Sequence, residues 1–453
     1  MAATLRIVRR CIPNGGRRYT AAACPPETYD VVIVGGGPAG CALAAALGAR
    51  RSTLAGRRIA LVDAGKLDEA RRWEPPADTA YLAGLGLWDW CYGDRIQAYD
   101  RAVATDALGG GAIELAGAAG AGTAYMVETK NLVGGLLRAL DSERRVDVLE
   151  RARVAGIERS GHGWPVVALA DGRRLQARLV VGADGASSRV RSHAGIGVYG
   201  SEYAQYGLVA TLCLDRLNAT AFQRFLPTGP VALLPFPGGF ANLVWSLDAD
   251  HFQLLRAAPD GAFAALVNAA FRLAPAELDC LYAMLRAGAD GPALEAETAC
   301  RLAAFAASAA ARSARLPPHV AAAAPRSRTS FPLRMRMVDS LAGDRIALVG
   351  DAGHVVHPLA GQGLNMGLED VRCLADVLAL AAAGGEDLGA PAVLARYNRQ
   401  RYARNLALQG LVDKVWRVFR ARAGPVAALR SAAMDGLDAL PAVKRRLVSA
   451  LMD

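Results

Sequence analysis

The chain has 453 residues, 53% hydrophobic and 21% charged, which suits one large or several ordinary folded domains and excludes a disordered chain. Its net charge of +10 is spread along the sequence without a basic block interleaved with aromatics, so a nucleic-acid footprint is excluded, leaving an anionic membrane surface or acidic partners. Eight cysteines (Cys11, Cys24, Cys41, Cys91, Cys213, Cys280, Cys300 and Cys373) stand far apart with no C-x-x-C, which excludes a disulfide frame and a cysteine zinc site.

Residues 1–26 hold Arg6, Arg9, Arg10, Arg17 and Arg18 with no acidic residue before Glu27 and no continuous apolar run. That is the profile of an organellar transit peptide, mitochondrial because it is arginine-rich and serine-poor; a plain basic tail is the alternative. The uncharged run Val31 to Ala49 is long enough to cross a bilayer, yet its period changes from strand to helix, so it reads as a βα unit. A strand is expected at Tyr29–Val34, a helix from Pro38 to Arg50, and a strand at Arg58–Val62 that ends at Asp63. A weakly patterned stretch follows, with Pro75-Pro76 and glycine patches at Gly109–Gly111 and Gly117–Gly122. Met126–Leu140 reads as a helix, and Val146–Leu149, Val166–Leu169 and Leu175–Val181 as strands. Leu208 to Leu247 alternates as β, and 260–312 is alanine-rich and helical in period. Arg345–Val349 is a last strand, Leu364–Ala382 a helix, and 390–453 amphipathic helix with Arg and Lys among Leu, Val, Trp416 and Phe419.

Three blocks carry chemistry. The first is Gly35-x-Gly37-x-x-Gly40, placed between strand and helix as a dinucleotide-binding turn requires. Gly35 permits the tight turn, Gly37 lets backbone approach a pyrophosphate, and Gly40 lets helix and strand pack closely. The helix N-terminus offers unpaired N–H groups to phosphate. Asp63, 23 residues after Gly40, suits a ribose hydroxyl and would repel a 2′-phosphate, which argues against NADP. The second block is Leu179 to Arg191, where a buried strand runs out into Asp184-Gly185; Asp184 reads either as part of a cofactor site or as a helix cap. The third is Gly343 to Asp370. There Asp351 stands at the carboxyl end of a strand, and Gly361, Gly363 and Gly367 let backbone lie against a flat ring beside a helix start. His354 and His357 invite a metal reading, but no carboxylate or cysteine pattern completes it, so no metal is expected.

In this order and at these separations the blocks resemble the aromatic-ring hydroxylases of the para-hydroxybenzoate hydroxylase type. Phe222–Pro235, Leu243–Ser246, Ser327–Leu333 and His357–Gly367, with the arginine-rich leader, are similar to the mitochondrial ubiquinone-biosynthesis branch of that family. The resemblance covers about residues 28–450. It implies an α/β chain: a Rossmann-like FAD-binding domain (28–75, 120–200 and 335–395), an inserted mixed β-sheet substrate domain (76–119 and 201–334) and C-terminal helices (396–453), behind a transit peptide at 1–27.

The resemblance further implies FAD as cofactor, with Gly35, Gly37, Gly40 and Asp63 on its ADP half and Asp184-Gly185 near the pyrophosphate. Asp351 would hold the ribityl chain, and Pro358, Gly361, Gly363, Leu364 and Asn365 would lie along the isoalloxazine ring. The implied reaction hydroxylates a polyprenylated, 4-hydroxybenzoate-derived phenol, at C5, with O₂ and a flavin C4a-hydroperoxide. No second nucleotide motif is visible, so NAD(P)H would have to bind transiently; the resemblance implies a ferredoxin and its reductase as electron donors instead, and a negative ferredoxin suits the +10 charge. The setting would be peripheral, on the matrix face of the mitochondrial inner membrane, among other ubiquinone-biosynthesis proteins. The basic C-terminus serves either membrane contact or packing on the FAD domain. One departure stands out. Where the family follows its second strand with an arginine segment that covers the flavin, this chain has Gly65-Lys-Leu-Asp-Glu-Ala-Arg-Arg-Trp-Glu-Pro-Pro76, offering only Arg71 and Arg72. A prenyl-lipid reductase or cyclase shares the first motif but not the Asp351 block, and a catalytically impaired structural subunit is a further alternative.

Overall fold

The structure, a computed structural model, describes residues 25–49, 52–54, 56–72, 90–116, 124–161, 163–309, 311 and 314–444. The leader up to residue 24, Trp73–Pro76 and the glycine patch 117–122 lie outside them.

Five parallel strands make the heart of an eight-stranded sheet: β1 (Glu27–Val34), β2 (Ile59–Val62), β3 (Val146–Leu149), β4 (Arg174–Gly182) and β5 (Ile346–Leu348). Their spatial order is β3-β2-β1-β4-β5. The chain order therefore reverses between β1 and β4, and a doubly wound sheet opens its ligand crevice at such a reversal. Helices α1 (Pro38–Gly48), α2 (Thr129–Glu143) and α3 (Gln362–Ala383) pack against one another, with α1 between the other two. Parallel strands covered by helices must be apolar on both faces, which is why Val31, Val32, Ile33, Leu179, Val180 and Val181 run without a polar interruption and have no exposed surface. The hairpin of Val154–Arg159 and Pro165–Leu169 extends the sheet antiparallel to β4.

The second sheet has nine strands and is mixed. Its centre is Val198–Leu214, paired antiparallel with Phe240–Asp248 on one side and Thr329–Val338 on the other. Leu208, Ala210 and Leu212 alternate inward and meet Leu243, Trp245 and Leu247 in a second core. Ala249–Ala257, Asp260–Arg272, Pro275–Arg286 and Gly291–Ala307 supply the helical side of that core, matching the alanine-rich helical period. The helices α4 (Pro391–Arg420) and α5 (Gly424–Asp438) follow.

Two readings change. Residues 96–116, without a clear pattern in sequence, form three strands: Ile96–Tyr99, Arg101–Asp106 and Ala112–Ala116. Arg101–Asp106 runs parallel to Thr220–Leu226, a partner more than a hundred residues away that no local pattern reveals. The helix expected from Met126 begins only at Thr129, because Ala124–Val127 pairs with Ile96–Tyr99. Glu128, ion-paired with Arg95, marks the change from strand to helix.

Candidate cofactor and active site

All four motif positions come out at one edge, because each follows the carboxyl end of a parallel strand. In spatial order these are Asp63 after β2, Gly35–Gly40 after β1, Asp184-Gly185 after β4 and Asp351 after β5. The blocks also touch. A Cβ on Gly35, which has φ +113°, would lie 2.3 Å from the Ala183 carbonyl oxygen, so backbones of the first and second blocks meet there. A Cβ on Gly367 would fall 3.3 Å from Gly350 Cα and 3.9 Å from Ala39 Cβ, which joins the third block to α1. Gly37 faces open space, with nothing within 4 Å of a Cβ built there. Bare backbone at the start of a helix, beside an open approach, is what a pyrophosphate needs.

Asp63 bridges two loops: Oδ2 accepts from the Gly36 N–H and Oδ1 from the Gly65 N–H, each at 2.6 Å. Carboxylate oxygens accept more than one bond, so both keep capacity for ribose hydroxyls. Ser188, not Asp184, is the N-cap of the short helix that follows, while Asp184 Oδ2 accepts from the Arg189 N–H at 2.7 Å at its start. Its Oδ1 is buried without a partner, an orphan acceptor at the sheet edge. Asp351 makes no hydrogen bond of its own among the described residues. Its side chain is exposed, yet desolvation by the surrounding turn raises its carboxyl pKa and nearby His354 counters that rise. The turn Pro358–Ala360 leads through Gly361, in the left-handed region at φ +64°, into α3, so Gly363, Leu364 and Asn365 form the helix's first turn. Gly361, Leu364 and Asn365 are exposed there, while Pro358 and Gly363 are half-buried. An open carboxyl edge with an orphan acceptor, a bare glycine and a helix N-terminus fits an extended dinucleotide.

Sequence reasoning missed two residues inside the blocks it singled out. Arg191 is buried, and its guanidinium donates to the Ala186 carbonyl at 2.8 Å and the Ala352 carbonyl at 2.9 Å, tying the second block to the third. Asp370, with no exposed surface, gathers four donors described below. Their spacing gave no signal, since both pair across separate elements.

Among the described residues of this segment, neither arginine stands free to cover a flavin. Arg71 is held by Glu150 and Asp141, and its neighbour Arg72 projects into solvent. Glu150 also accepts from the Leu67 and Asp68 N–H groups, so this segment is spent on anchoring its own turn to the end of β3.

The two histidines differ. His354 is bound to Asp370, whereas His357 is fully buried with both ring nitrogens unpaired, its ring 5.0 Å from Tyr203 in an edge-on contact. Burial pushes the His357 imidazolium down to about 4, with Asp413 opposing weakly. As pH falls from 6.5, the ordinary value, towards 4, the unfolded chain takes up this proton and the folded one does not. Stability is therefore complete above pH 6.5 and falls by about 3 kcal/mol across that window. His357→Gln is expected to flatten this acid limb by about one proton in denaturant titrations at stepped pH. An unchanged slope would refute a neutral buried imidazole. Beside the Pro358–Ala360 turn a cleft opens between Gln205, Phe225, Leu226, Leu359, Trp416 and Phe419.

Residues 301–409 match the family described as "FAD binding domain". Residues 30–205 match "Lycopene cyclase protein", a span that takes in the first two blocks and stops short of Asp351. "Ubiquinone biosynthesis monooxygenase COQ6, mitochondrial" of Xenopus tropicalis is 34% identical over 464 residues, covering 98% of this chain and 97% of the relative. The proteins of that name from Saccharomyces cerevisiae and Homo sapiens are 34% and 32% identical over 98% of both chains. Among solved structures, PqsL, described as a probable FAD-dependent monooxygenase from Pseudomonas aeruginosa, superposes with TM-score 0.64 at 22% identity, covering 90% of this chain and 99% of that one. p-Nitrophenol 4-monooxygenase PnpA from Pseudomonas putida DLL-E4 does so with TM-score 0.66 at 17% identity, covering 94% and 98%. At that identity the structures speak for the fold, while the near-full-length relatives show that this chain belongs to the family of FAD-dependent ubiquinone-biosynthesis monooxygenases.

Proposed function

We propose that the chain hydroxylates the aromatic ring of a polyprenylated, 4-hydroxybenzoate-derived phenol in ubiquinone biosynthesis, at ring position C5. The observation that carries this reading is the single carboxyl edge bearing Asp63, the Gly35–Gly40 turn, Asp184 and Asp351 in spatial order, in a chain whose near-full-length relatives are named ubiquinone biosynthesis monooxygenases. Bound FAD supplies the activation of O₂ and the oxygen transfer. The chain's own groups do the rest. Gly37 and the start of α1 take the pyrophosphate, Asp63 the ribose and Asp351 the ribityl hydroxyls. The first turn of α3 offers the backbone N–H groups of Gly363 and Leu364 to the ring, with Pro358, Gly361 and Asn365 beside it, where a helix N-terminus favours negative charge. The small cleft at Leu359 and Trp416, lined also by Gln205 and Arg420, lies beside that turn, where the substrate would approach.

The electron donors are a ferredoxin and its reductase, supported by the net charge of +10 and the single dinucleotide turn. The setting is the matrix face of the mitochondrial inner membrane, in contact with other ubiquinone-biosynthesis proteins. Exposed Leu406, Leu411, Val418 and Leu429, set among exposed Arg404, Lys414 and Arg422, support peripheral contact. No helix of the described residues is long and apolar enough to cross a membrane. Expression in cells lacking C5 hydroxylation is expected to restore ubiquinone, and removal of the protein to accumulate the intermediate unmodified at C5. Accumulation of a different intermediate would overturn the assignment, and rapid flavin reduction by NADPH alone would overturn the ferredoxin. The engagement of Arg71 by Glu150 and Asp141 favours, as a second reading, an impaired structural subunit. FAD-replete protein that restores no hydroxylation would establish it.

A further inference from the structure

We propose that Asp370 is a positioning residue for the flavin, acting through the Gly350–Ala352 turn that carries Asp351. Asp351 has no hydrogen bond of its own among the described residues, so its direction is set by the backbone on either side of it. Both sides lead to Asp370. The Gly350 N–H donates to Asp370 Oδ2 at 3.2 Å, and His354 Nε2 meets the same oxygen at 2.5 Å. Oδ1 accepts from Arg401 Nε at 2.9 Å and Asn405 Nδ2 at 3.0 Å, both on α4. A single carboxylate on α3 thus ties the residue before Asp351 and the third residue after it to the long C-terminal helix.

The energetics favour a fixed device over a passive contact. Asp370 has no exposed surface. Burial alone would raise its pKa, but the facing His354, Asn405 and Arg401 outweigh burial and hold it below the ordinary carboxylate value. Gly350 sits in the left-handed region at φ +59°, and a Cβ there would lie 3.3 Å from Ala39, so the turn has little room to relax once its anchor is gone. An amide at 370 keeps the volume but replaces one acceptor oxygen with a donor facing donors, and it leaves the buried Arg401 with Glu369, 3.6 Å away, in place of the closer Asp370 charge.

The proposal rests on FAD lying along the carboxyl edge, and its test separates the two ideas. Asp370→Asn is expected to raise the FAD dissociation constant at least tenfold, followed by flavin fluorescence on titration into apo-protein. At saturating FAD it is also expected to alter the visible circular dichroism of the bound flavin, which a general loss of stability would not move. Asp106→Asn is the control. It removes the charge of another buried aspartate, paired with Arg430 on α5, and is expected to lower stability while leaving both flavin readings within twofold. Wild-type values in Asp370→Asn, or an equal weakening in Asp106→Asn, would overturn the proposal. Should Asp370→Asn not fold, Asn405→Ala removes one donor and is expected to weaken FAD about threefold, and an unchanged constant there would overturn it equally. A wild-type protein without flavin absorbance would instead defeat the premise of an FAD-filled edge.

Discussion

Replacing Gly40 with alanine is expected to leave the purified protein colourless. The added methyl would lie 1.8 Å from the Gly35 carbonyl oxygen and 3.0 Å from its carbon, and both are backbone atoms in a turn already packed on Ala183. Neither can move by rotating a side chain. Either α1 lifts from the sheet or the turn opens, and each displaces the N–H groups meant for phosphate. Overpacking of this kind costs about 1–3 kcal/mol when side chains can yield, and more when backbone must. Loss of at least a hundredfold in FAD affinity should therefore accompany a measurable fall in thermal stability. Gly37→Ala separates the two effects, since nothing lies within 4 Å of its Cβ. It should fold normally and still lose FAD, because the methyl enters the space where the pyrophosphate would approach. Flavin absorbance after gel filtration reads both, and a yellow Gly40→Ala protein would contradict the packing argument.

The other large effect is expected where the C-terminal helices meet the second sheet. Arg430 on α5 clamps Asp106 with two bonds, at 2.7 and 2.9 Å, and donates to the carbonyls of Val418, Phe419 and Ala421. It thereby closes the C-terminus of α4 and pins α5 to the second sheet. Asp106 is buried, and burial would raise its pKa, but Arg430, the Leu108 N–H and Ser431 together hold it low. Arg430→Ala would strand this carboxylate and three carbonyls at once. Breaking a buried pair from one side costs about 3–5 kcal/mol. Equilibrium denaturation should show that loss at neutral pH, and the loss should shrink in acid. A carboxylate with a lowered folded pKa stabilises above its unfolded value and ceases to as pH falls through the folded one. FAD content should stay near wild type.

How much could be read from sequence follows from the range of the forces involved. The glycine turn was legible because a side chain on Gly40 would collide with a residue only five positions away and the flanking run Val31–Val34 is uninterruptedly apolar. Asp63 and Asp351 were legible by position, since strand ends in an α/β sheet face the ligand. Asp184 was read both ways, and the structure gives the cap to Ser188, one Asp184 oxygen to the Arg189 N–H, and leaves the other without a partner. What stayed hidden was decided across distance. Arg101–Asp106 needs Thr220–Leu226 beside it, and Asp370 needs Arg401 and Asn405 from another helix. Met126 and Val127 fit the period of the helix that follows them, and only their pairing with Ile96 and Gln97 makes them strand. Arg71 shows the same limit in reverse, because its availability was settled by Glu150, 79 residues on.

The order β3-β2-β1-β4-β5 has a consequence for how the protein comes into being. The fifth strand, at Ile346–Leu348, takes its place only after the residues of nearly the whole second sheet have been made, and six residues on from Leu348 the chain pairs His354 with Met337 of that sheet. Neither sheet is a unit that a nascent chain can finish first. Such distant pairing makes folding slow, and the cradle for the cofactor closes among its last events. A ligand that binds only the finished state draws the folding equilibrium towards it by mass action. Cofactor supply thus acts as a quality checkpoint, and the amount of this protein in a cell should follow the FAD available to it as much as the rate of its synthesis.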